Sequence, residues 1–256
     1  MERVIYKKNP LIEVILQIRF PKILALNAED PVVFQEAIKN DYPLYRLTVE
    51  KQQEISFPVN QDTMIPSIIQ KQPVKNHNFI SKDGTYKINL TSGFISISTV
   101  NYTRWENLLE HFKQPLEKFL EIYAPPFFER IGLRYIDAFS RSRLGIANKS
   151  WSELISPAWL GAYAMVDEKS VLNTGMDVEY LLDNGISRAK IHAGIGNINN
   201  SQENVFVFDS DFIHISNINP TECASILEYL HTCSQEFIQN AITNELHIAM
   251  EPEKIE

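Results

Sequence analysis

The stretch Ser92-Gly93-Phe94-Ile95-Ser96-Ile97-Ser98 returns 118 residues later as Ser210-Asp211-Phe212-Ile213-His214-Ile215-Ser216, identical at five of seven positions. Working outward, Pro10-Leu11-Ile12-Glu13 matches Pro126-Phe127-Phe128-Glu129 at an offset of 116. Leu16-Gln17-Ile18-Arg19-Phe20 resembles Ile131-Gly132-Leu133-Arg134-Tyr135 at an offset of 115. Three matches at nearly one offset read as an internal duplication, with the drift that bulges and loop insertions produce. The expected halves are 1–124 and 125–256, joined as one pseudo-twofold domain.

Each half reads as strand–helix–strands–helix. Ile12, Val14, Leu16, Ile18 and Phe20 alternate with period 2, the mark of a strand with one buried face. Phe127, Glu129, Ile131, Leu133 and Tyr135 are expected to follow the same face in the second copy. Asp30-Pro31 predicts a helix start, running to about Asn40. Tyr45 to Pro58 is strand-like but irregular. Asp83-Gly84, Ser92-Gly93 and Asn184-Gly185 are turn signals between short alternating runs. Thr103-x-x-Glu106, Ser150-x-x-Glu153 and Asn219-Pro220-Thr221-Glu222 predict capped helix starts. The first long helix carries an apolar stripe of Trp105, Leu108, Leu109, Phe112, Leu116, Phe119 and Leu120. The last carries Ile226, Leu227, Leu230, Cys233, Phe237, Ile238, Ile242 and Leu246. The predicted fold class is α+β: a merged antiparallel sheet with the long helices on one face and the other face open.

Composition bounds the function. The 256 residues are 44% hydrophobic and 22% charged, as in ordinary globular chains. A net charge of −8 excludes a basic nucleic-acid scaffold as a description of the whole chain. Residues 1–124 carry 15 basic and 14 acidic side chains, and the remainder 9 and 18, so the acid excess sits in the second half. Nine glycines leave little room for phosphate loops, and no Walker, dinucleotide-binding, HExxH, GxSxG or zinc-spaced cysteine motif is present. Cys223 and Cys233, ten residues apart on one predicted helix, stand roughly 15 Å apart, too far for a disulfide. The N-terminal stretch is interrupted by Glu13, Gln17 and Arg19, unlike a signal peptide. These features predict a reduced, cytoplasmic protein with no cofactor and no metal.

Arg19 and Arg134 fall at matching positions of the repeat, out of phase with the apolar alternation, and Arg130 shares their face. Guanidiniums so placed could grip phosphate or carboxylate bidentately. The alternative is that each pairs with Glu13, Asp137 or another strand neighbour. Lys71, Lys75, Lys82 and Lys87, with Asn76, His77 and Asn78, form a basic stretch that could contact phosphates or lie as a solvated loop. Glu228-x-x-His231 has a spacing used in di-iron bundles but lacks the companion motif. His192 and His214, in strand-like runs, could approach one another across the sheet. Trp105 is expected in the core rather than as a base-stacking ring.

Asn9-Pro10-Leu11-Ile12-Glu13-Val14, Arg130-Ile131-Gly132-Leu133-Arg134-Tyr135-Ile136-Asp137 and Thr103-Arg104-Trp105-Glu106 resemble the motifs of a family of sporadically distributed prokaryotic proteins of about 260 residues. That resemblance implies no activity, cofactor or catalytic residue, and its patchy distribution implies a defence or toxin–antitoxin setting. The expectation from sequence is a non-catalytic binding or regulatory module acting through a protein partner, with Arg19, Arg130, Arg134 and Lys87 as binding residues. The alternatives are a nucleic-acid-binding protein using the open sheet face, or an enzyme with a site between the two halves.

Overall fold

A computed structural model describes residues 4–50, 53–56, 67–70, 73–197 and 203–254. In the first half of the chain, β1 (Val4–Tyr6) and β2 (Leu11–Arg19) lead through α1 (Ala25–Ala28) and α2 (Val32–Ile38) to β3 (Leu44–Glu50). The hairpin β4 (Gln53–Ser56) and β5 (Ser67–Gln70) follows, then β6 (Val74–Ile80), β7 (Tyr86–Leu90), β8 (Phe94–Thr99) and the long helix α3 (Trp105–Tyr123). The second half opens with β9 (Phe128–Phe139) and the short helices α4 (Arg141–Leu144), α5 (Trp151–Leu154) and α6 (Pro157–Leu160). It continues with β10 (Gly175–Leu181), β11 (Arg188–Asn197), β12 (Asn204–Ile218), the long helix α7 (Cys223–Ala241), α8 (Asn244–Ala249) and β13 (Pro252–Lys254).

Nine strands form one antiparallel sheet in the order β10-β11-β12-β9-β2-β8-β7-β6-β3. Outward from the central pair, the order is β9-β12-β11-β10 on one side and β2-β8-β7-β6 on the other, with β3 added at one edge. Connectivity is therefore alike on both sides of the centre. The period-2 alternation of β2 does what it predicts: Val14, Leu16 and Ile18 are fully buried and Arg19 is exposed. The long helices α3 and α7 cover this apolar face, and one continuous core joins both halves. The fold is α+β, and no described helix is long and apolar enough to cross a membrane.

Several local expectations shift. The seven-residue match lies one step out of register between the halves. Ile95 and Ile97 pair with Ile18 and Leu16 on the helix face, whereas in β12 it is Phe212 that pairs with Leu133 there. A one-residue slip moves a strand's side chains to the other face, so Ile213 and Ile215 point away from the helices. Phe128, not Phe127, enters the core, beside a register shift between Ile215 and Ile218. Thr103 does not cap α3: Arg104 holds the cap position without a side-chain bond, Thr103 accepts from Asn107, and Glu106 pairs with Arg104. The capping boxes at Ser150 and Asn219 are present. Pro31 itself takes the cap position of α2, leaving Asp30 to meet Lys75. Of the α3 stripe, Trp105, Leu108, Phe112 and Phe119 are buried, while Leu109 is only partly so. The α7 stripe ends at Ala241, and Leu246 belongs to α8. Pro58, Lys71 and most of the polar loop before Asn204 lie outside the described residues. Cys223 and Cys233 are free thiols on α7.

Candidate functional site

The open sheet face is where the sequence expects its binding arginines. Arg130 and Arg134 do share it, and Arg19 lies opposite Arg130 in register on β2. Each β9 arginine leans along the strand to a carboxylate of β12. Arg134 grips Asp209 through Nε and Nη2, the first contact at 2.6 Å. Arg130 folds across Gly132, whose missing side chain leaves room for the guanidinium, and reaches Asp211 at 2.7 Å and Gln17 at 3.0 Å. Burial and the neighbouring Arg19 charge hold the Arg130 guanidinium below its ordinary range despite the Asp211 carboxylate. These are cross-strand pairs rather than open anion grips. Arg19 is exposed and has no hydrogen bond or ion pair among the described residues.

The remaining sequence candidates disperse. Lys87 stands on β7 facing the same open side, opposite Ser98. Lys75 meets Asp30 at 3.4 Å, and His77 is buried under Tyr45, so the basic stretch is not a single patch. Asn89 bridges Asn76 and Asn78 in a buried amide cluster. His192 pairs with Asp177 on the open face, while His214 bonds Ser187 on the helix face, so the two do not meet. Glu228 accepts the indole N–H of Trp105 at 2.8 Å, and no cluster of three metal-capable side chains occurs among the described residues.

The site that the fold does build lies on the other face, between α3 and α7. The odd positions of β9 face the helices, so Tyr135 and Asp137 follow Ile131 and Leu133 inward. Even positions of β12 face the same way and bring Ser210 and Phe212. On α7, His231, Ser234 and Ile238 recur at helical spacing toward the sheet. The first turn of α3 adds Trp105, with Tyr102 just before it. The terminal strands β1 and β13 pair with each other beside this space, and β1 contributes Tyr6. The resulting cleft encloses about 790 Å³, counting the part open to solvent.

Aromatic rings dominate its wall. Trp105 stacks on His231 with centroids 4.4 Å apart and planes 12° from parallel. Tyr135 and His231 Nδ1 share a hydrogen bond of 2.9 Å, and Tyr102 meets Tyr135 edge-on at 6.0 Å. Tyr6 bonds His247 Nδ1 at 2.9 Å. Burial pushes the Tyr135 phenol well above its ordinary value, so it stays protonated. Asp137 is 6% exposed and has no ion pair or side-chain hydrogen bond among the described residues. Burial alone pushes its carboxyl up to about 7. Ser210 is 1% exposed, and its hydroxyl has no hydrogen-bond partner among the described residues.

Sequence reasoning put Asp137 among the pairing partners of the arginines. The signal that corrects this was present: Asp137 keeps the parity of Ile131, Leu133 and Tyr135. Comparison of the sequence with protein-family models and with curated proteins finds no match.

Proposed function

We propose that this protein binds a small organic molecule in the cleft between its two long helices, and that it is a binding or regulatory module built around that ligand. The observation that carries this reading is the Asp137 carboxyl, held without a partner among the described residues at the floor of an aromatic cleft. A buried carboxyl is costly unless something compensates it. A concave, mainly apolar cleft with a few converging polar groups is what small-molecule sites look like. The protein-partner reading rests on less, because Arg130 and Arg134 spend their charge on Asp211 and Asp209. Those same carboxylates, with Asp177 and Glu179 further along the sheet, oppose a nucleic acid on the open face.

The test uses the neutral dye Nile red, whose fluorescence rises in apolar surroundings. The full chain should bind it saturably. Gln235, half-buried on α7 at the cleft wall, is the position to block. Gln235→Trp should abolish binding while leaving the melting temperature unchanged. Equal binding by the variant and the parent would place the dye elsewhere and refute the reading.

A further inference from the structure

Resting on the cleft reading, we propose that the ligand is a small organic cation, a primary amine on an apolar body, whose ammonium group sits between the Asp137 carboxylate and the Ser210 hydroxyl. Ser210 pairs with Tyr135, and Asp137 with Phe208, so Ser210 and Asp137 are diagonal neighbours on adjacent strands of one face. Such neighbours stand roughly 7–8 Å apart between Cα atoms, within reach of one bridging donor group. An ammonium supplies three donors and no acceptor. One N–H satisfies the Asp137 carboxylate, which has no ion pair or side-chain hydrogen bond among the described residues, and a second satisfies the buried Ser210 hydroxyl, which has no hydrogen-bond partner there.

Charge selects the cation over other classes. An anion would meet Asp137 with no counter-ion beside it. Arg104 at the mouth is held by Glu106 at 2.9 Å, and no lysine lines the described wall. Tyr6 and Tyr102 add aromatic rings to the wall, and such rings attract cations and cover an apolar body alike. A neutral alcohol could bond Ser210 but would leave the carboxylate without a counter-charge.

The titratable groups facing Asp137 are Tyr6 on β1, Tyr135 on β9, Tyr102 ahead of α3 and His231 on α7, with the Arg104–Glu106 pair at the mouth. On this face β12 presents only His214, which bonds Ser187 away from the cleft. Burial holds the phenols of Tyr6, pushed up to about 12, and of Tyr135, raised well above its ordinary value, in the protonated form. Ammonium binding therefore requires ionised Asp137, and affinity falls as pH drops through about 7.

The experiment compares three probes that differ only in head group: phenethylamine, phenethyl alcohol and hydrocinnamate. Calorimetric titrations use the full chain and Asp137→Asn at pH 8 and pH 6, with Nile red as the control for an intact cleft. At pH 8 the amine should bind at least about tenfold more tightly than the alcohol, and lose about tenfold at pH 6, where most of Asp137 is protonated. Asp137→Asn should remove the preference while still taking up Nile red. If Nile red binds but the amine does not, or the alcohol or hydrocinnamate binds as tightly, the cation inference is wrong and the cleft reading stands. A preference that survives in Asp137→Asn also overturns it. If the parent chain takes up no Nile red, the cleft reading itself fails.

Discussion

Asp137→Asn should make the protein more stable at pH 8 and leave it almost unchanged at pH 4. The magnitude follows from burial. The carboxyl rises from its ordinary value of 3.8 to about 7 in the folded chain. Each pH unit of such a difference is worth about 1.4 kcal/mol, so ionised Asp137 destabilises the fold by roughly 4 kcal/mol above pH 7. The sign is set by proton counting. Between pH 4 and pH 7 the folded state holds a proton that the unfolded state has lost, so stability falls as pH rises through this window and levels off beyond it. Below pH 4 both states are protonated and the penalty vanishes. Asparagine keeps the size and polarity without the charge. In a chain of this length each kcal/mol moves the melting temperature by about 2–4 °C, so the variant should gain roughly 8–16 °C at pH 8. Differential scanning calorimetry of both proteins from pH 4 to pH 8 reads the difference curve. A difference that stays flat with pH, or a variant destabilised at pH 8, would refute the burial argument.

Two further outcomes concern the scaffold. Leu230→Ala, at a fully buried position of α7, should lose about 2–5 kcal/mol in urea unfolding, whereas Leu109→Ala on α3, only partly buried, should lose less. Arg134→Gln should change stability by at most about 1 kcal/mol, because its guanidinium is part-exposed, while Arg130→Gln should lose more, because that guanidinium is the more buried and also bonds Gln17, and equal losses would contradict the two pairings.

The parts of this fold that were legible in the sequence are those set by local periodicity. The alternation of Val14, Leu16 and Ile18 and the stripe from Trp105 to Phe119 needed only period 2 and period 3.6. Asn184-Gly185 and Asp83-Gly84 marked their turns because glycine reaches the left-handed backbone there, at φ 68° and 77°. What was not legible depends on pairing between distant strands. Whether Arg134 meets Asp209 or a ligand depends on the register of β9 against β12, which no local signal fixes. The same holds for the one-residue offset that turns Phe212 inward and Ile213 outward. The cleft is assembled from both ends of the chain and both long helices, so neither half displays it alone.

The central strand pair also sets the order in which the chain can assemble. The meanders β6-β7-β8 and β10-β11-β12 join strands that are close in sequence and can form early. Strand β2 has no local partner: Gln17 meets Ser96 on one side and Gly132, 115 residues away, on the other. Closing loops of that length precedes any gain from the contacts, which slows folding. Until β2 is inserted, β8 and β9 each present an unpaired edge to solvent and to other copies of the chain. Synthesis from the N-terminus releases β2 long before β9 exists, so the seam waits for the second half of the polypeptide to emerge.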